Sequence, residues 1–167
     1  MIKSIVLTVI LCVIAGILQS TVIARITFFN VVPDLALCIL VFSAYVNGTM
    51  TGQISGFFSG LFLDFLSAAP LGLNSLVRTL IGALAGFFRG AFFLDIFLMP
   101  IILCALATIM KALIIYVLHL FFRTSVPAYV FTSSLFWIEL GLNCLCSPLL
   151  FFLLKLVKPL TMNRRGE

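Results

Sequence analysis

Asp34, Asp64 and Ser59 are the residues of this chain whose types and positions could support catalysis inside a membrane. The two aspartates both fall near one end of an apolar segment, as the members of an aspartyl dyad would. Ser59, in the stretch FFSG, resembles the nucleophile of intramembrane serine proteases, except that a phenylalanine replaces the first glycine. A serine nucleophile needs an adjacent base, and the only histidine, His119, ends a different apolar segment. We therefore expect that the chain is not an enzyme.

The cysteines offer no obvious metal site. Their number is odd and no CxxC pair occurs. All of them lie inside apolar segments, where cysteine serves as a small apolar side chain; they are Cys12, Cys38, Cys104, Cys144 and Cys146. The sequence also carries no phosphate-binding loop. We therefore predict neither a metal nor a cofactor.

The composition indicates a protein that is dissolved in lipid. Of the 167 residues, 63% are hydrophobic and only 9% are charged, and the mean hydropathy is +1.33. Soluble domains keep about a quarter of their residues charged. The chain is therefore predicted to be an all-α integral membrane protein, with residues 1–167 as a single membrane domain. Its basic residues are scattered, so the net charge of +5 indicates membrane lipid and not nucleic acid as its partner.

Six segments are candidates for transmembrane helices that form a compact bundle. A span needs about 20 apolar residues, and fewer where the bilayer thins. The candidates cover approximately residues 4–24, 34–47, 50–67, 73–89, 95–119 and 128–154. Pro33 and Asp34 are expected to open the second span, because proline fits the first helical turn and an acid there favours the positive end of the dipole.

Basic residues near the span ends predict the orientation. The C-terminal segment holds four of the ten basic residues, namely Lys155, Lys158, Arg164 and Arg165. Cytoplasmic segments are enriched in such residues, so this segment is predicted to be cytoplasmic. Six spans place the N-terminus on the same side, and residues 60–78 then lie at the outer surface.

Glycines at four-residue spacing occur in the third and fourth candidate spans. They are Gly52, Gly56 and Gly60 in one span and Gly82, Gly86 and Gly90 in the other. Tandem GxxxG patterns let two helices approach backbone to backbone, so we predict tight helix packing here. Half of the aligned residues in 52–63 and 82–93 are identical. The similarity indicates either a duplicated unit or chance in a chain rich in Gly and Phe.

Two oppositely charged residues lie close to these glycines. Asp64 extends the series of the third span by one more four-residue step, and Arg78 stands four residues before Gly82. We predict that Asp64 and Arg78 approach each other, directly or through Asn74 and Ser75. Intramembrane charges indicate a functional site by default. The alternative is an ion pair that locks a helix hairpin.

A second ion pair follows from depth in the membrane. Lys111 lies a few residues past the middle of the fifth span, and Glu139 lies a similar number before the middle of the sixth, which runs back. At about 1.5 Å rise per residue, both side chains come to the same depth. We predict a Lys111–Glu139 ion pair inside the bundle. Stability and a transport pathway are its two alternative roles.

The sequence resembles one family along most of its length. The stretches PDLAL at 33–37 and GFFSGLFLDFLSAAPLGLNSL at 56–76 are similar to the signature of the rod shape-determining protein MreD family. The pattern around Phe136, Trp137, Asn143 and Pro148 resembles the last span of that family.

This resemblance implies a non-enzymatic membrane subunit of the bacterial cell-elongation machinery, located in the cytoplasmic (inner) membrane. Members bind the protein MreC and through it link MreB filaments to the glycosyltransferase and transpeptidase that build peptidoglycan. The resemblance also implies that the motif residues Asp64, Pro70, Gly72 and Asn74 are important for the function of the family. The family is also similar in architecture to the substrate-binding subunits of energy-coupling-factor (ECF) transporters. A carrier of small solutes is therefore the alternative, and it should show a polar, aromatic pocket at the outer surface.

Overall fold

The structure is a computed structural model that describes residues 1–21, 31–67, 70–90, 98–123, 133–157 and 160. Within these ranges the chain forms six α-helices: α1 (Ile2–Thr21), α2 (Leu35–Asn47), α3 (Thr49–Leu66), α4 (Leu73–Phe87), α5 (Leu98–Phe121) and α6 (Ser134–Leu156). They follow the candidate spans in order. Parts of the predicted spans, at 22–24, 95–97 and 128–132, lie outside the described residues, as do the basic residues Lys158, Arg164 and Arg165.

Three of these helices, α1, α5 and α6, are long and apolar enough to cross a membrane. Helices α2 and α4 are apolar, but with 13 and 15 residues they are shorter than the approximately 20 residues of an ordinary span. Large apolar side chains cover the outside of the bundle; Phe65, Phe87 and Phe121 are each at least 70% exposed. An outer surface of this kind fits a lipid solvent, so the chain is a membrane protein, and six complete crossings remain a prediction.

Helix α2 lies at the centre of the bundle. It contacts each of the other five helices, and twelve of its thirteen residues are buried. A helix that is apolar all round is buried either in a protein core or in lipid, and the burial of α2 shows that protein surrounds it. Its two ends define two ends of the molecule, which we name the Asp34 end and the Asn47 end.

Helices α3 and α4 form the closest pair, and glycine is the reason. A Cβ atom at Gly52 would overlap the backbone of Gly82, and one at Gly56 would overlap the backbone of Arg78. A Cβ atom at Gly86 would come within 2.5 Å of the Thr49 backbone. Gly60 packs in the same manner against Ser75 and Asn74. The two helices therefore meet backbone to backbone, as small residues allow.

Gly90 does not belong to this set, and its predicted role in helix packing is wrong. Helix α4 ends at Phe87, so Gly90 falls in the turn that follows. It has a φ of +73°, and among the described residues no neighbouring atom lies within 4 Å of a Cβ placed there. The four-residue spacing continues past the end of the helix because a turn requires glycine at positive φ.

Helix α6 contains Pro148, which has no backbone N–H to donate to the carbonyl of Cys144. The hydroxyl of Ser147 donates to that carbonyl at 3.0 Å instead. A side chain thus replaces the missing backbone hydrogen bond, and the helix continues to Leu156.

Substituting Gly56 tests the α3–α4 packing. Gly56→Ala should force the two helices apart and lower the free energy of unfolding by about 1–3 kcal/mol, the usual cost of overpacking. Gly141→Ala in α6 is the matched control, because nothing lies within 4 Å of a Cβ there. Thermal unfolding of both variants in detergent measures the difference, and equal melting temperatures would contradict the packing described.

Candidate functional site

The carboxylate of Asp64 caps the start of α4. Its Oδ2 accepts from the backbone N–H groups of Gly72 at 2.9 Å and Ser75 at 3.2 Å. Its Oδ1 accepts from the backbone N–H and the side-chain amide of Asn74, at 2.9 and 3.0 Å. The first turn of a helix leaves its N–H groups without partners and carries the positive end of the dipole. Asp64 therefore satisfies these groups from the preceding helix.

The turn between α3 and α4 makes this arrangement possible. Gly72 occupies the N-cap position with a φ of +93°, in the left-handed region, and glycine has no side chain with which to cap the helix. Pro70 accepts a hydrogen bond from the Leu73 N–H at 3.1 Å and closes the turn. Asp64 supplies from a distance the acceptor that Gly72 lacks.

The predicted direct contact between Asp64 and Arg78 is wrong. Asp64 does bond to Asn74 and Ser75, but the guanidinium of Arg78 binds elsewhere, with Nη2 donating to Asp34 Oδ1 at 2.8 Å. The reason is that the N-terminal N–H groups of α4 occupy both oxygens of Asp64. Arg78 lies more than one turn further along α4 and reaches the start of α2.

Asp34 is the centre of the second polar site. It is the N-cap of α2, and its Oδ1 accepts from the backbone N–H of Leu37 at 3.0 Å in addition to Arg78. Its Oδ2 accepts from Lys111 Nζ at 2.8 Å. Pro33 therefore precedes the cap and does not lie in the first helical turn, where it was expected. The acid does lie at the positive end of the helix dipole.

Lys111 joins Asp34 to Glu139. Its Nζ lies 2.8 Å from Asp34 Oδ2 and 2.7 Å from Glu139 Oε1. The predicted pair of Lys111 and Glu139 is therefore confirmed. The prediction from helix depth does not include Asp34, the other acid that Lys111 contacts. We name Asp34, Arg78, Lys111 and Glu139 the Asp34 cluster. It contains two acids and two bases from four helices, with side chains only 7–19% exposed.

Asn143 of α6 completes the cluster with uncharged hydrogen bonds. Its Oδ1 accepts from the backbone N–H of Asp34 at 2.7 Å, and its Nδ2 donates to the Thr108 hydroxyl of α5 at 3.0 Å. The sequence assigned Asn143 no role beyond the family pattern. An amide side chain within an apolar helix does indicate that Asn143 forms hydrogen bonds inside the protein. The sequence does not indicate which residues are its partners.

Residues that could support catalysis are bonded elsewhere in the structure. The Ser59 hydroxyl donates to the carbonyl of Gly56 in its own helix at 3.3 Å. The two candidate aspartates serve different helix starts, so they do not form a dyad. The five cysteines are free thiols, and the described residues hold no group of three His, Cys, Asp or Glu side chains suited to a metal. The arrangement can join helices and order a turn.

These features define a class: an all-helical membrane protein whose buried charges join its helices. A family model described as rod shape-determining protein MreD matches residues 1–157. The chain belongs to this family, and the resemblance found in the sequence is confirmed. No curated protein and no solved structure matches the chain.

Neutralising Asp64 tests its capping role. Asp64→Asn replaces a charged acceptor of four hydrogen bonds by a single neutral oxygen. We expect a loss of about 1.5–3 kcal/mol in the free energy of unfolding, the value of a hydrogen bond to a charged group. Ser67→Ala is the control, because it changes another polar residue that contacts Asn74, at 3.4 Å, and leaves the Asp64 carboxylate in place. Unfolding in mixed detergent micelles measures both variants, and equal stabilities would rule out capping by Asp64.

The Asp34 cluster predicts a ranking of two isosteric substitutions. Asp34→Asn leaves Arg78 and Lys111 with one acid between them, so we expect a loss of about 3–5 kcal/mol, as for a broken buried ion pair. Glu139→Gln should cost less, because Lys111 keeps Asp34 as its partner. The same unfolding assay compares the two variants, and a larger effect of Glu139→Gln would show that Asp34 is not the centre.

Proposed function

We propose that the chain is a non-enzymatic membrane subunit of the bacterial cell-elongation machinery. In this role it binds MreC and couples MreB filaments to the enzymes of lateral peptidoglycan synthesis. The observation that carries the proposal is the family match over residues 1–157. We place the protein in the cytoplasmic membrane with several crossings and both termini in the cytoplasm, which agrees with Lys3 near the start of α1 and Lys155 in the last turn of α6.

The ordered turn after α3 supports a partner-binding role. Asp64 holds the start of α4, and between the two helices Leu71 projects with 73% of its surface exposed. A turn whose backbone is tied to a buried carboxylate loses little conformational entropy when a partner binds it. We therefore assign the contact with MreC to the turn at residues 70–72.

The family match does not favour the alternative of an ECF-type solute carrier. Such a carrier needs a pocket with polar and aromatic groups that orient a solute. A cavity of about 170 Å³ between α4 and α5 has an apolar lining that includes Leu84 and Leu103. A more open cavity of about 340 Å³ beside Gly72 is lined by Ser75 and Thr79 among apolar side chains, but both hydroxyls already donate to backbone carbonyls.

Mass spectrometry of proteins that are retained on the tagged, gently extracted chain tests the proposal. We expect MreC together with peptidoglycan synthases. Recovery of a pair of transporter ATPases with their membrane coupling subunit would overturn the proposal in favour of a solute carrier.

A substitution in the exposed turn sharpens this test. Leu71→Ser should reduce the recovery of MreC several-fold without loss of stability, because Leu71 packs little against its own chain. Leu145→Ser in α6 is the matched control, since that leucine is 75% exposed and lies on another helix. Equal recovery from both variants would exclude the turn as the contact. The family-based proposal itself would still depend on whether the unsubstituted chain retains MreC.

A further inference from the structure

Helices α1 and α3 each carry a row of buried polar side chains at four-residue spacing. The residues are Ser4 and Thr8 on α1, followed at the same spacing by the thiol of Cys12, and Thr51, Ser55 and Ser59 on α3. Each is at most 3% exposed. Residues four apart lie on one face of a helix with a separation of about 6 Å along the axis. Each helix therefore presents a continuous polar row inside the protein.

Three contacts give the register between these rows. Helix α1 runs antiparallel to α2, because Thr8 bonds to Ser43 and the Cys12 thiol donates to the Ala36 carbonyl. Helix α3 follows α2 directly after Gly48 and packs back against it, so α1 and α3 run parallel. A Cβ at Gly16 would overlap the side chain of Leu63, and this difference of 47 positions pairs Cys12 with Ser59, so the two rows face each other.

The same offset places Thr8 opposite Ser55, at the centre of the rows. Thr8 Oγ1 and Ser43 Oγ of α2 share a hydrogen bond of 2.5 Å, and the Thr8 hydroxyl also donates to the carbonyl of Ser4 at 2.7 Å. Hydroxyl groups from three helices therefore converge at one level. We name the two rows, together with Ser43 and Asn47 of α2, the polar seam.

Three buried polar side-chain atoms have no hydrogen-bond partner in the described part of the chain: Asn47 Oδ1, Ser55 Oγ and Arg78 Nη1. Asn47 lies one turn beyond Ser43, at the Asn47 end of the seam. Ser55 lies at its centre. Arg78 lies at the opposite end, where it binds Asp34 at the start of α2 and the Cys12 thiol donates to the nearby Ala36 carbonyl. An unsatisfied buried polar group costs about 1–3 kcal/mol, so three along one seam require a common explanation.

We propose that the polar seam is an internal water-binding site that connects the Asp34 cluster with the Asn47 end of the bundle. A bridging water spans about 5.6 Å with two hydrogen bonds of about 2.8 Å, close to the spacing of about 6 Å along each row. Internal waters characteristically satisfy otherwise unpaired buried polar groups with about three hydrogen bonds. The Ser55 hydroxyl, unpartnered among the described residues, can donate to such a water, and the oxygens of Thr8 and Ser43 can accept from it, since a hydroxyl oxygen accepts two hydrogen bonds.

Radiolytic labelling tests this proposal on the full-length chain in lipid nanodiscs. A short X-ray pulse converts bound water into hydroxyl radicals, which oxidise the side chains beside that water. Cys12 lies on the seam, whereas Cys38 and Cys104 lie off it with equal burial, at 0%, 1% and 1% exposure. The oxidation rate of each thiol is divided by the rate of the same thiol in denatured protein. This ratio should be several-fold higher for Cys12 than for Cys38 and Cys104. Equal rates would overturn the proposal.

Two buried serines provide matched variants. Ser55→Val removes the central hydroxyl and fills its space, so oxidation of Cys12 should fall several-fold while Cys38 and Cys104 keep their rates. Ser147→Val in α6 changes an equally buried serine off the seam and should leave Cys12 unchanged. If either variant fails to fold, as judged by gel filtration, the oxidation of Cys12 relative to Cys38 and Cys104 in the unsubstituted chain still tests the proposal.

A bound sodium ion is the competing occupant, because hydroxyl and amide oxygens also ligate cations. Thermal unfolding in sodium chloride and in choline chloride distinguishes the two. We expect the same melting temperature in both salts. A higher melting temperature in sodium, together with slow oxidation of Cys12, would overturn the proposal and identify a cation site.

Discussion

The carboxylate of Asp34 is the interaction on which the arrangement of this protein depends. It lies at the start of the one helix that protein surrounds on all sides, where no solvent can satisfy the first backbone N–H groups. The side chain caps α2 itself and accepts from a cation of α4 and a cation of α5. The side-chain amide oxygen of Asn143 in α6 accepts a hydrogen bond from the backbone N–H of Asp34. One residue therefore joins four helices, and the charges around it cancel.

The glycine packing of α3 on α4 determines whether that joint can form. Gly56 packs directly on the backbone of Arg78, so the distance between the helices sets the position from which the guanidinium reaches Asp34. A larger residue at Gly56 would push the α4 backbone away from α3 and so move the Arg78 guanidinium relative to Asp34. The glycines of α3 therefore help to position the Asp34 cluster by setting the distance between the α3 and α4 backbones. Close helix packing and charge pairing depend on each other in this way.

The sequence predicts the helices well because lipid leaves few alternatives: each apolar segment must satisfy its backbone internally. It also predicts that Lys111 and Glu139 meet, since depth along two antiparallel helices follows from counting residues. It does not predict that Asp34 binds Arg78 and Lys111. Partner choice depends on the rotation of each helix about its axis, and residues 35–42, the part of α2 beside Asp34, are all apolar, so the sequence shows no preferred face there.

The same reasoning explains the error over Asp64 and Arg78. Spacing places both residues on the packed faces of their helices and at the same end of the hairpin, which makes an ion pair the simplest expectation. The N–H groups at the start of α4 are not visible in a count of charges, yet they lie within 3.2 Å of the Asp64 carboxylate. Local backbone donors therefore occupy the carboxylate first, and Arg78 is left to reach the more distant Asp34.

A transport pathway and a structural joint place different demands on buried charges. Transport needs groups that exchange partners, whereas both oxygens of Asp34 and both oxygens of Asp64 already accept hydrogen bonds of 2.8–2.9 Å from neighbouring elements. Releasing any of these donors would leave a charge or a backbone group unpaired in a low-dielectric interior. The two carboxylates therefore resist rearrangement. Such rigidity suits a subunit that holds other proteins in register along the membrane better than one that moves a solute.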